Sequence, residues 1–220
     1  MGNSSDHSPT SHVPHAWPGM FGLYRYSKPA VSYNLSANAW LLILLAPLGG
    51  ACDIFLRRER LIGVAIWLLI ALVSAGSAIA QIASVRRQRL SASDALAAAF
   101  SRWPKVIALT LLLDITYLIS LLCLVIPFFF VLPRLNLAVY FMLGDDLGVT
   151  EAYRASWRAT RGHTLDIWGV IAVNALIFLL AATVIGLPFA IYFYLMYSAA
   201  LAVAYEMLRP STASQPDGGS

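Results

Sequence analysis

Charge is what this chain has least of: 12% of its 220 residues are Asp, Glu, Lys or Arg, against roughly 25% in an ordinary soluble domain. With 59% hydrophobic residues and a mean hydropathy of +0.71, a water-soluble globule is excluded and a bilayer is the expected solvent. Cysteine is nearly absent. Cys52 and Cys123 both sit in or beside apolar runs without neighbouring histidine, so neither a zinc site nor a disulfide framework is expected. Three of the four histidines, His7, His12 and His15, fall in the polar first stretch and read as a solvated tail. His163 alone remains, so the facing Ser and His of an intramembrane protease are missing. The adjacent acids of "GDDLG", Asp145 and Asp146, would point to different sides of a helix. They are expected to cap the helix that follows rather than hold a metal and a phosphate. The sequence therefore predicts no catalytic residue, no metal, no cofactor and no enzyme.

The net charge of +4 comes from arginines at the ends of apolar runs, a membrane-orientation pattern rather than a basic stripe for nucleic acid, and no nucleic acid partner is expected. The first 20 residues lack the basic start and apolar centre of a signal peptide. "MGNSSD" carries Asp6 where a myristoylation start needs Ser or Thr.

A span needs about 20 apolar residues. Candidates lie at about 38–55, 61–84, 104–126, 128–143, 165–185 and 187–206. The expectation is an all-α polytopic protein with six transmembrane helices, or five if the first segment, with Pro47, Gly49 and Gly50, fails to cross. Residues 1–37 read as a disordered or weakly structured tail, 38–208 as the membrane domain and 209–220 as a second tail. Placing both termini in the cytoplasm puts Arg25, Lys28, Arg86, Arg87, Arg89, Arg102, Lys105, Arg154, Arg158, Arg161 and Arg209 inside and only Arg57, Arg58, Arg60 and Arg134 outside. That census predicts a multi-pass cell-membrane protein with cytoplasmic termini.

Two connecting stretches have helical pattern of their own. "SASDALAAAFSR" (91–102) opens with Ser91 and Asp94 at capping-box spacing and sets Leu96, Ala99, Phe100 and Trp103 on one face. "TEAYRASWRATR" (150–161) sets Tyr153 and Trp157 one turn apart, with Arg154, Arg158 and Arg161 on an adjoining face. Both predict interfacial amphipathic helices, and the arginines are candidate contacts for anionic lipid head groups. Each is followed by an apolar span, a proline turn in "VIPF" or "GLPF", and "LAVYFML" or "LAVAYEML". One surface helix plus two spans thus occurs twice. Because two crossings restore orientation, the copies form a parallel internal repeat.

Within 126–170, "IPFFFVLPRLNLAVYFMLGDDLGVTEAYRASWRATRGHTLDIWGV" has prolines, an arginine near a span start, an acidic turn and an "A…SW…RG" helix. In this it resembles the bacterial integral-membrane domain found fused to some glycerophosphoryl diester phosphodiesterases. The resemblance covers roughly 91–208 and carries Pro127 or Pro133, Arg134, Asp145 with Asp146, and the stretch 155–162. It implies a multispan helical domain. No phosphodiesterase domain is appended, so that activity does not carry over.

One carboxylate stands inside a span. Asp114 lies near mid-membrane in "LTLLLDITYLISLLC" (109–123), on a stripe with Thr110 and Tyr117. Asn174 falls at nearly the same depth in the second repeat, and Arg134 enters from the opposite side. An ionisable residue at that depth is a functional candidate. The alternative is a hydrogen bond from Asn174 or Tyr117 that only fixes helix packing. The small residues Ala71, Ser74, Ala75 and Ala78 form a stripe for close helix approach. These features predict a non-enzymatic membrane protein acting in envelope organisation or binding a membrane partner. The alternative is a small-solute or lipid transporter with a polar midplane site, and a membrane enzyme comes third.

Overall fold

A computed structural model describes residues 17–123, 125–181 and 186–209. Among these residues every regular element is a helix. The chain runs α1 (Gly19–Val31), α2 (Leu35–Arg58), α3 (Arg60–Val85), α4 (Ala92–Ser101), α5 (Trp103–Cys123), α6 (Val125–Leu135), α7 (Ala138–Gly144), α8 (Val149–Ala159), α9 (Thr164–Ala181), α10 (Gly186–Tyr197) and α11 (Ala200–Leu208). The fold is all-α and polytopic. Among the described residues five helical stretches are long and apolar enough to cross a membrane: Gly19–Leu56, Arg60–Val85, Trp103–Leu122, Pro127–Gly144 and Ile191–Leu208. A shorter apolar helix covers Thr164–Ile177.

The expected first tail is partly a helix. α1 buries Leu23, Ser27 and Val31, one residue per turn, while Phe21 faces outward. Apolar spacing over 20–31 is too sparse to announce a span, but it suffices to seat one face on neighbours. At its start, Asp166 of α9 accepts from Trp17 Nε1 at 2.7 Å and from the Met20 amide at 3.1 Å. The Trp17 ring also lies 4.1 Å from that of His163. Asp166 thus serves the first turns of both α1 and α9, where a negative charge offsets the exposed N–H groups. At the other end of α1, a 3-10 turn, Ser32–Asn34, leads into α2. There the Asn34 amide donates to Gln88 O at 2.8 Å and accepts from Leu90 N at 3.0 Å. Both ends of α1 therefore meet the same end of the bundle, where α3 finishes and α9 begins. α1 lies across that end, and the crossing within Gly19–Leu56 is α2. Residues 1–16 and 210–220 lie outside the described residues.

α2 and α3 form a helical hairpin. Gly63 makes the approach possible, since a Cβ there would fall 2.7 Å from Leu56 Cα. α3 is the central rod and packs on α1, α2, α4, α5, α7 and α11. Its 71–84 half is almost wholly buried, including the small stripe Ala71, Ala75 and Ala78. A Cβ on Gly76 would lie 3.1 Å from Leu96 Cδ2, so α4 is drawn close to α3.

The predicted repeat appears in the order of elements. α4, α5, α6 and α7 are followed by α8, α9, α10 and α11, a surface helix and then an outward rod and a return rod broken in two. In the first return, Pro133 cannot donate to the carbonyl four residues earlier, that of Phe129. Trp168 Nε1 of α9 donates to that carbonyl instead, satisfying an acceptor that lipid would leave bare. α4 departs from its predicted face. Ala95 and Ala99 are sealed and Leu96 packs at Gly76 of α3, while Phe100 and Trp103 are about half exposed. Its cap is as expected: Ser91 Oγ accepts from Asp94 N at 3.1 Å.

Candidate functional site

Around α5, Leu109 and Leu113 point into the bundle, whereas Leu111, Ile115 and Leu118 are 45%, 53% and 57% exposed. At 100° per residue, Asp114 falls at the seam between these two faces, and it is exposed there. It opens onto a cavity of about 340 Å³ between α3, α5 and the α6–α7 junction, lined by Ser74, Thr110, Asp114, Tyr117, Asn136 and Tyr140 among apolar neighbours. Two of these polar groups are satisfied within the chain. Tyr140 donates to Gln81 Oε1 at 2.7 Å, and Thr110 to Val106 O at 2.9 Å. Asp114 and the side-chain amide of Asn136 have no hydrogen-bond or ion-pair partner among the described residues. The Tyr117 ring stands edge-on to Phe128 at 6.2 Å.

The expected pairing of Asp114 with Asn174 does not form. α5 packs on α3, α4, α6 and α8, whereas α9 packs on α1, α6, α10 and α11. Half-buried Asn174 therefore does not line the cavity, and Asn136 takes the place expected of it. Matching depth in two repeats does not imply contact when each rod has different neighbours. Arg134 does not reach Asp114 either. Its guanidinium lies over the Trp157 ring at 4.8 Å, and its backbone carbonyl accepts from Ser156 Oγ at 2.5 Å. It belongs to the surroundings of α8 rather than to an opposite face.

On α8, Ala152 and Ser156 are fully buried, and Arg154, Arg158 and Arg161 are exposed. A groove of about 410 Å³ is lined by Tyr153, Arg154, Trp157 and Arg158. Arg161 falls beyond the helix end, beside Gly162 at φ +87°, and does not line it.

An ionic cluster at this end of the bundle was not anticipated from sequence. Arg86 Nε pairs with Glu206 at 2.6 Å, and an Arg86 Nη donates to Tyr205 at 3.2 Å. Arg209 lies 2.6 Å from Asp145, an ion pair by distance without hydrogen-bond alignment. Asp146 accepts from Lys105 at 3.2 Å and lies 3.7 Å from Arg102. Its hydrogen bond from Lys105, then the charges of Arg102 and Lys105, hold the Asp146 carboxyl below the usual carboxylate range. The two acids of "GDDLG" thus bind the ends of α5 and α11 and do not cap α8, whose first turn is closed by Glu151 accepting from Gly148 N at 3.1 Å. The one signal available was that both copies of the "LAV…ML" segment end in charged turns, which repeat symmetry brings to the same end. Among the described residues, no three His, Cys, Asp or Glu side chains are placed to hold a metal ion.

No family model matches the chain, and neither a curated protein nor a solved structure matches it.

Proposed function

We propose that this chain is a non-enzymatic, multi-pass protein of the cell membrane with cytoplasmic termini, and that it binds a membrane partner through the cavity at Asp114. One observation carries the reading: a carboxyl at the middle of an apolar rod, at the seam between lipid-facing and bundle-facing surfaces, lacks a hydrogen-bond or ion-pair partner among the described residues. Such a group is costly in hydrocarbon, so a hydrogen-bond donor or cation on a neighbouring helix answers it best. The orientation rests on the basic residues gathered at the end where α1, α4 and α8 lie, against Arg58 and Arg60 at the α2–α3 turn. The resemblance carried by 126–170 fits a membrane module of this kind.

A photo-crosslinker at Leu118, one turn from Asp114 on the exposed face, tests the proposal in native membranes. A discrete protein adduct is expected, and Asp114→Leu should abolish it. The cavity volume favours a second reading, binding of a small polar solute. On that reading Leu118 forms no protein adduct, and solute uptake into proteoliposomes depends on Asp114.

A further inference from the structure

The groove on α8 has a composition that points to its own ligand. Tyr153, Arg154, Trp157 and Arg158 line it, and the Arg134 guanidinium, outside the lining, stacks on the Trp157 ring. No acid lines it. Glu151, the acid on α8, is engaged at its own helix start with the Gly148 amide. None of Arg134, Arg154 and Arg158 has an ion-pair partner among the described residues. The Arg134 Nε is buried with no hydrogen-bond partner among the described residues. Two guanidinium groups in the groove and a third stacked on its tryptophan, none of them ion-paired among the described residues, stand beside two aromatic rings. Together they form a receptor for an anion with several oxygens, since the planar fork of arginine matches phosphate in a bidentate manner. Position narrows the choice of anion. α8 packs on α5, α6 and α7, seated by Ala152 and Ser156, and its tryptophan and tyrosine are residues that favour the head-group layer.

We propose that Arg134, Tyr153, Arg154, Trp157 and Arg158 form a binding site for the phosphodiester head group of an anionic membrane lipid. The rings rest at the boundary with the acyl chains and the guanidinium groups hold the phosphate. The site differs from a diffuse basic surface in excluding Arg161, which is exposed like Arg154 and Arg158 but lies outside the groove. It is independent of the reading of Asp114, because no residue is shared between the groove and that cavity.

The test uses the full chain, purified in neutral detergent and titrated with phosphatidylglycerol or phosphatidylcholine while bound lipid is counted by native mass spectrometry. Saturable binding of phosphatidylglycerol is expected, at least about tenfold tighter than phosphatidylcholine. With about fivefold per arginine near a charged surface, Arg154→Gln with Arg158→Gln should weaken it about 25-fold. Arg134→Gln should weaken it about fivefold, and Arg161→Gln should leave it unchanged. Both lining arginines are exposed, so their variants should fold, and an unaltered unfolding temperature checks this. Equal binding of the two lipids would overturn the proposal, as would a loss in Arg161→Gln matching that of Arg154→Gln. Displacement of phosphatidylglycerol by millimolar inorganic phosphate would assign the groove to a soluble phosphate and overturn the lipid assignment.

Discussion

In the first repeat the surface helix α4 turns Ala95 and Ala99 inward, and in the second α8 turns Ala152 and Ser156 inward. All four are sealed. The flanking positions then diverge: Leu96, Ala97 and Phe100 on α4 stand where α8 has Tyr153, Arg154 and Trp157. α4 is an apolar strut between α3 and α5. α8 carries Arg154, Arg158 and an open groove. The rods differ in the same way, since α5 holds Asp114 beside a cavity while α9 holds Asn174 away from it. Close packing fixes the small residues that let each surface helix settle, whereas the outer positions of each copy are free to carry separate chemistry.

Overpacking the shared positions should have the largest effect. Ala95→Leu and Ala152→Leu each insert a branched side chain at a site with no room, and each should lower stability by about 1–3 kcal/mol, read from unfolding in mixed micelles. Ala97→Leu, on the outer side of α4, should change little. A large loss at one of the paired alanines with none at the other would break the equivalence of the repeats.

How much of this was legible follows from where each signal resides. Apolar run length and capping chemistry are local, so the rods, α4 and α8 were readable, as was the repeat in "LAVYFML" and "LAVAYEML". The helix over Gly19–Val31 was missed because its stabilising partner, Asp166, is distant in sequence. The roles of Asp145 and Asp146 are hidden from a local pattern for the same reason, their cations lying on α5 and beyond α11. The Asp114–Asn174 pairing failed because depth follows from counting residues, while adjacency depends on which rods pack together.

A smaller effect should come from acid. Asp146 titrates below the usual carboxylate range because Lys105 and Arg102 favour its charged form. A group whose folded pKa is depressed contributes stability above its unfolded value, about 3.9, and loses it as pH falls through the folded value. This exposed contact should therefore give no pH dependence between pH 5 and 8. A loss confined to more acidic solution should be absent in Asp146→Asn. An Asp146-dependent loss near neutrality would contradict the ion pairing.

The smallest effect on stability is expected where the functional claim is strongest. If Asp114 were a packing residue held by its own chain, Asp114→Leu would lower stability by about 0.6 kcal/mol or more, the scale of interhelical hydrogen bonds in membranes. Among the described residues Asp114 has no such bond. The direct test is therefore the unfolding free energy of purified Asp114→Leu against the parent, with the Leu118 crosslink followed in native membranes. The account predicts unchanged or slightly higher stability together with loss of the adduct. Lower stability with the adduct retained would contradict it and return Asp114 to the packing of the bundle.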